Sequence, residues 1–232
     1  MPADVFKIDK SEVLRYLGHR GQVYDNALDG LIDDCIAQCE SLARVQYTYG
    51  LFDLGERDGI LSVAGTRLLL PGADIARHLH GAKKCALLAA TLGTSIDRAI
   101  AAAQRDSMTR ALVLDACAND LIEKACDRAQ EEIAAKAQTD GLFINFRFSP
   151  GYGDLPLSIQ PDFLRVLKTD KVIGLTCTDT LILLPRKSVT AVIGLFDEPL
   201  ESPQKPGCAS CRMAKTCTFR KDGGSCGNFK KA

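Results

Sequence analysis

The chain has no tryptophan, three histidines, three methionines and only 6% aromatic residues. A histidine-built metal centre therefore has little to draw on. One-signed charge is missing too. The 29 Lys and Arg balance 29 Asp and Glu, so no field gathers nucleic acid or anionic lipid. No apolar run approaches the roughly 20 residues of a membrane span; residues 86–92 are among the longest. Residues 1–10 carry Asp4, Lys7, Asp9 and Lys10 and hold no apolar signal core. The Gly-x-Gly-x-x-Gly loop of Rossmann nucleotide folds is absent. So is the Cys-x3-Cys-x2-Cys of radical enzymes, and no catalytic triad is recognisable. Together these absences predict a cytoplasmic protein with a small-molecule site or a specific protein partner.

What is present is ordinary globular material. The chain has 232 residues, 46% hydrophobic and 25% charged, enough for one large domain, or one domain and a small appendage. Ten cysteines fall into two groups. Cys35, Cys39, Cys85, Cys117, Cys126 and Cys177 sit among apolar residues and read as small core side chains. Cys208, Cys211, Cys217 and Cys226 crowd into the last 25 residues.

Residues 6–9 suggest a short strand, and Ser11 an N-cap for a helix ending at Gly18. Leu28, Ile32, Cys35, Ile36, Cys39 and Leu42 recur at helical spacing within 25–43. Residues 45–70 have strand character, residues 74–80 a short helix, and residues 85–92 a buried strand closed by Gly93. Thr94 caps a helix reaching Ala103, with Asp97 in its first turn. A long helix covers 107–137. A strand over 142–146 runs into a glycine- and proline-bearing loop, and residues 163–167 form a helical turn. Two strands, 176–184 and 189–196, read as a hairpin across Pro185-Arg186-Lys187-Ser188. A proline-rich linker follows at 198–207. This pattern predicts an α+β fold, a twisted, mostly antiparallel sheet with packed helices, over 1–197, then the linker and a four-cysteine tail at 208–232. His78 and His80, in Arg77-His78-Leu79-His80, read as edging a helix rather than holding metal.

The segment from Arg147 through Phe148-Ser149-Pro150-Gly151-Tyr152-Gly153 to Asp154 concentrates chemistry. Glycines let a ligand approach the backbone, and proline limits the loop's freedom. Arginine presents a flat fork for a carboxylate. Tyrosine lies against a ring or a cation. On composition alone, the same residues also make an ordinary strand-to-helix turn with a surface salt bridge.

The segment resembles the Arg-x-x-Pro-Gly-Tyr signature of the activation (reactivation) domain of vitamin B12 (cobalamin)-dependent methionine synthase. Residues 115–132 are similar to that family's long helix, and residues 176–196, with Pro185 and Ser188 flanking the turn, to its closing hairpin. The resemblance is best over 106–196. It implies a free-standing reactivation domain that binds S-adenosylmethionine and supports reductive methylation of an oxidised corrinoid. Arg147 would then grip the ligand carboxylate, Ser149 act mainly through its backbone, and Tyr152 sit beside the sulfonium or adenosine. Glu123 would attract the α-amino group. An N-terminal acid of the family has its only candidate match in Asp53. The Asp-x-His-x-x-Gly loop that gives a histidine to cobalt is missing. The resemblance therefore implies that the cobalamin arrives on a partner, a methionine synthase or another corrinoid methyltransferase. Flavodoxin or ferredoxin would be the electron donor. Sulfonium is already a good leaving group, so positioning suffices and no acid or base is needed.

Cys208-x2-Cys211-x5-Cys217-x8-Cys226 lies outside that resemblance. Four thiolates hold zinc or an iron–sulfur cluster, and Arg212, Lys215, Arg220 and Lys221 would favour the thiolate form. Free or redox-paired thiols are the alternative. Two other readings stand beside reactivation: an electron-transfer docking module built on the tail, and a non-catalytic assembly factor that reuses the fold.

Overall fold

The computed structural model describes residues 6–19, 21–199 and 215–216. The sheet grows from a hairpin. β1 (Gln46–Arg57) and β2 (Ile60–Val63) turn through Asp58 and Gly59, both at positive φ, the backbone twist that a two-residue hairpin loop favours. β3 (Lys84–Thr91) lies next to β1, β7 (Ser188–Phe196) lies next to β3, and β4 (Phe143–Ile144) closes the edge. The order is β2-β1-β3-β7-β4, with every pair antiparallel.

β3 reads as a continuous apolar run because both its faces are covered. Ala86, Leu88 and Ala90 enter one core with Ile193 and Leu195. Cys85, Leu87 and Ala89 enter a second core with Val192. The first core packs under α1 (Lys10–Tyr16), α2 (Asn26–Leu42), α4 (Thr94–Asp106) and α5 (Met108–Thr139). Alanines at 111, 116, 118, 125 and 129 of α5 are buried there, and their small size lets the helix lie close. The second core is covered by α3 (Ala73–His78) and α6 (Gln160–Leu167), with the single turn α7 (Thr169–Val172) beside them. The architecture is the expected α+β one, an antiparallel sheet with packed helices.

Four expectations change. Residues 6–9 form no strand, because carboxylates take their amides. Ile8 N–H donates to Glu40 Oε1 at 2.9 Å and Asp9 N–H to Asp120 Oδ2 at 2.9 Å. Asp9, not Ser11, caps α1 and accepts the Ser11 amide at 2.8 Å. Gly93 holds the N-cap position of α4, with Thr94 inside the helix. The expected hairpin also divides. Only β5 (Thr176–Cys177) and β6 (Leu183–Leu184) pair, across residues 178–182. β7 alternates into both cores and is drawn to the middle of the main sheet instead. Among the described residues, no helix is long and apolar enough to cross a membrane.

Five of the six scattered cysteines are buried and Cys177 is partly so; all six are free thiols. Burial pushes the Cys39, Cys85 and Cys126 thiols up to about 12, as expected of inert core residues.

Candidate functional site

Arg147 reaches its place through an irregularity at the sheet edge. Ile144 pairs with Leu195, and Phe148 with Val192. Four steps along the edge segment thus match three along β7, a one-residue bulge. Asn145 fills the break. Its N–H donates to Gly194 O at 3.2 Å, and its Oδ1 accepts the Gly194 N–H at 2.7 Å. The extra residue reverses the alternation of side chains. Ile144 packs on the α5 side, whereas Phe148 packs on the opposite side. Arg147 therefore emerges toward α5.

There the guanidinium meets one stripe of the helix. Nη2 donates to Glu123 Oε2 at 2.9 Å; Nη1 donates to Asp127 Oδ1 at 2.8 Å and Gln130 Oε1 at 3.0 Å. These partners lie at i, i+4 and i+7, the spacing of one helical face. The Arg147 side chain is 19% exposed, and those of Glu123 and Asp127 are 48% and 63% exposed. The cluster is thus a half-sheltered cation between two wet carboxylates, with a local charge of one negative unit. Cys126, beside Arg147, is too deeply buried to titrate near neutrality.

Two shallow clefts flank the cluster. One, of about 240 Å³, lies between Tyr16, Glu123, Arg186, Lys187, Ser188 and Val189. The other, of about 310 Å³, is bordered by Asp127, Gln130, Glu131 and Ile144. The turn at the first cleft is firmly held. The Arg186 and Lys187 amides donate to the Asp97 carboxylate at 2.6 and 3.3 Å. Lys187 Nζ donates to Asp115 Oδ1 at 2.7 Å and Asn119 Oδ1 at 2.8 Å. Burial raises the Tyr16 hydroxyl pKa, and the nearby Glu123 charge adds to it.

The rest of the loop turns away from α5. Ser149 O accepts the Tyr152 N–H at 3.0 Å, and Gly151 N–H donates to Leu155 O at 2.8 Å. Gly151 sits at φ 94, a conformation that favours glycine. Tyr152 is 63% exposed, and its ring meets Phe148 edge-on at 6.4 Å. The structure thus unites Arg147 and Glu123 and puts Tyr152 at the far end of the loop, against a side chain from the other face.

Asp53 does not join them. It pairs with Lys84 at 3.6 Å, is 71% exposed, and has β3 and β7 between its strand and β4, a separation of about 14 Å. The acid that the N-terminal segment does bring to α5 is Asp9, whose amide is held by Asp120. Asp9 was hidden because Ser11 looks like the better cap. Asp127 and Gln130 were legible only as ordinary polar positions of a helix. His78 ends α3, with its ring 4.5 Å from Phe146 and 5.0 Å from Phe148. Among the described residues, no group of three His, Cys, Asp or Glu is placed to hold a metal. Cys208, Cys211, Cys217 and Cys226, and most of the linker at 198–207, lie outside the described residues.

No protein-family model matches the chain, and no curated protein sequence matches it. Solved structures do. The chain is similar to the crystal structure of the MetH reactivation domain bound to AdoHcy, at 14% identity and a TM-score of 0.58. The match covers 94% of this chain and 82% of that one. With an antiparallel sheet between two helical layers and an arginine-bearing loop at its edge, this chain has the fold of the MetH reactivation domain.

Proposed function

We propose that the chain binds S-adenosylmethionine beside Arg147 and supports reductive methylation of an oxidised corrinoid carried by a partner protein. The carrying observation is the Arg147–Glu123–Asp127 cluster, set by a bulge at the edge of a fold whose solved example holds AdoHcy. S-adenosylmethionine has a carboxylate, an ammonium and a sulfonium, one net positive charge, which complements the cluster's single negative one. The ligand carboxylate takes the place of Glu123 on Nη2, while Nη1 keeps Asp127 and Gln130. Glu123, released, faces the α-ammonium. Tyr152 serves the sulfonium side as a cation–π partner. Ser149 contributes its backbone.

Methylation of the reduced corrinoid removes it from an unfavourable reduction and so draws that reduction forward. The chain's share is to place the methyl group and keep water away. The partner is a corrinoid methyltransferase such as methionine synthase, with flavodoxin or ferredoxin as electron donor. The spacing of Cys208, Cys211, Cys217 and Cys226 supports a zinc or iron–sulfur site in the tail. A cluster there would favour the tail as an electron relay.

Titration calorimetry with S-adenosylmethionine and S-adenosylhomocysteine tests the reading. The wild-type chain binds both, and Arg147→Ala weakens binding by roughly 100-fold, about 2.7 kcal/mol. Absence of binding, both to the free chain and to its complex with a corrinoid protein, overturns the proposal.

A further inference from the structure

The loop that carries Arg147 and Tyr152 is fastened at both ends to one short helix. α3 has six residues and starts after Gly72, which offers no side-chain cap. Asp154 supplies one from 80 residues away. Its Oδ2 accepts the Ala73 N–H at 2.8 Å and its Oδ1 the Asp74 N–H at 3.0 Å. The approach is so close that a Cβ on Gly72 would stand 2.4 Å from Asp154 Oδ1. A Cβ on Gly153 would meet Asp74 Oδ2 equally closely, at 2.4 Å. Both glycines sit at positive φ, 132° and 54°. At the other end of α3, His78 O accepts a hydrogen bond from Asn145 Nδ2 at 2.8 Å. The His78 ring lies against Phe146 and Phe148.

Asn145 and Asp154 bracket the residues that the proposed function assigns to the ligand. We infer that α3 is a brace that holds the Arg147–Gly153 loop in its binding shape, with Asn145 and Asp154 as positioning residues. The inference rests on the proposed function for its ligand, though not for the brace. Neither residue needs to touch the ligand. A loop with two positive-φ glycines has many alternative shapes, and ordering it on binding would weaken affinity. Two charge-assisted hydrogen bonds at one end and an amide bridge at the other remove that freedom beforehand.

The test uses the full chain and two readouts. Hydrogen exchange of residues 146–153 is measured without ligand, and S-adenosylhomocysteine affinity by calorimetry. Asp154→Ala should speed exchange in the loop and weaken affinity by about ten- to fiftyfold. Asp154→Asn, which keeps one acceptor oxygen, should fall between Ala and wild type. Asn145→Asp still accepts from Gly194 but cannot donate to His78, so it should loosen the same loop should Asp154→Ala fail to fold. Unchanged loop exchange in the folded variants overturns the brace. Faster exchange with unchanged affinity overturns the positioning role. A wild-type chain that does not bind S-adenosylhomocysteine overturns the functional reading, and the positioning role with it, while the exchange data still decide the brace.

Discussion

At the residue scale, the site is a problem of charge. Glu123 and Asp127 stand one helical turn apart, where like charges repel by a few tenths of a kcal/mol, and Arg147 relieves them. Because both acids are largely wet, these ion pairs stabilise the fold little; their arrangement matters more for what a zwitterion meets. His78 presents the reverse case. Burial lowers its pKa from 6.5 to about 4, and its Nε2 is buried without a hydrogen-bond partner. Between those values the unfolded chain takes up a proton that the folded chain refuses, so stability falls as pH drops from about 7 to about 4. Urea unfolding at both pH values should show wild type losing about 3 kcal/mol more than His78→Phe across this range. Equal losses would mean the imidazole is not held neutral.

At the element scale, β3 carries the most weight, since its alternate residues enter both cores. Leu88 is fully buried under the helical layer. Leu88→Ala should cost about 2–5 kcal/mol by the loss of buried surface and the cavity left behind, visible as a lower urea midpoint with an unchanged slope. A loss under about 1 kcal/mol would show that the layer collapses to fill the gap. The helices were the most legible elements. α2 follows its apolar spacing, and α5 starts after Ser107, whose Oγ accepts the Arg110 amide at 3.2 Å. The strands around residues 176–196 were the least legible. Both halves have strand composition, yet whether they pair together or with β3 depends on which face finds cover. Pro185 and Ser188 signal a turn correctly but cannot say which sheet the chain enters next.

At the scale of the whole molecule, the described sheet and helices contain the entire Arg147 cluster, and the four-cysteine tail stands apart in sequence. Removing residues 200–232 should leave S-adenosylhomocysteine affinity within about twofold of the full chain, about 0.4 kcal/mol, and abolish any stoichiometric zinc or iron. Loss of binding on truncation would place the tail in the ligand site. Retention of metal by the shortened chain would move the metal site elsewhere. A brown full-length protein after anaerobic purification would favour the electron relay, whereas colourless protein with zinc would leave the tail a folding role.

The sequence by itself determined the α+β class, the long helix, the buried β3 run and the arginine-loop character of residues 147–154. Each is written in local spacing and local composition, which set periodicity and turn chemistry. Only the tertiary structure decided where that chemistry points. The bulge at Asn145 sets the face on which Arg147 emerges, and β7 lies between β3 and β4 rather than folding back on residues 176–184. Asp9 rather than Asp53 comes to α5, and Asp154 reaches back 80 residues to cap α3. These choices rest on contacts between distant residues, which strand pairing and burial select and which no short window of sequence encodes.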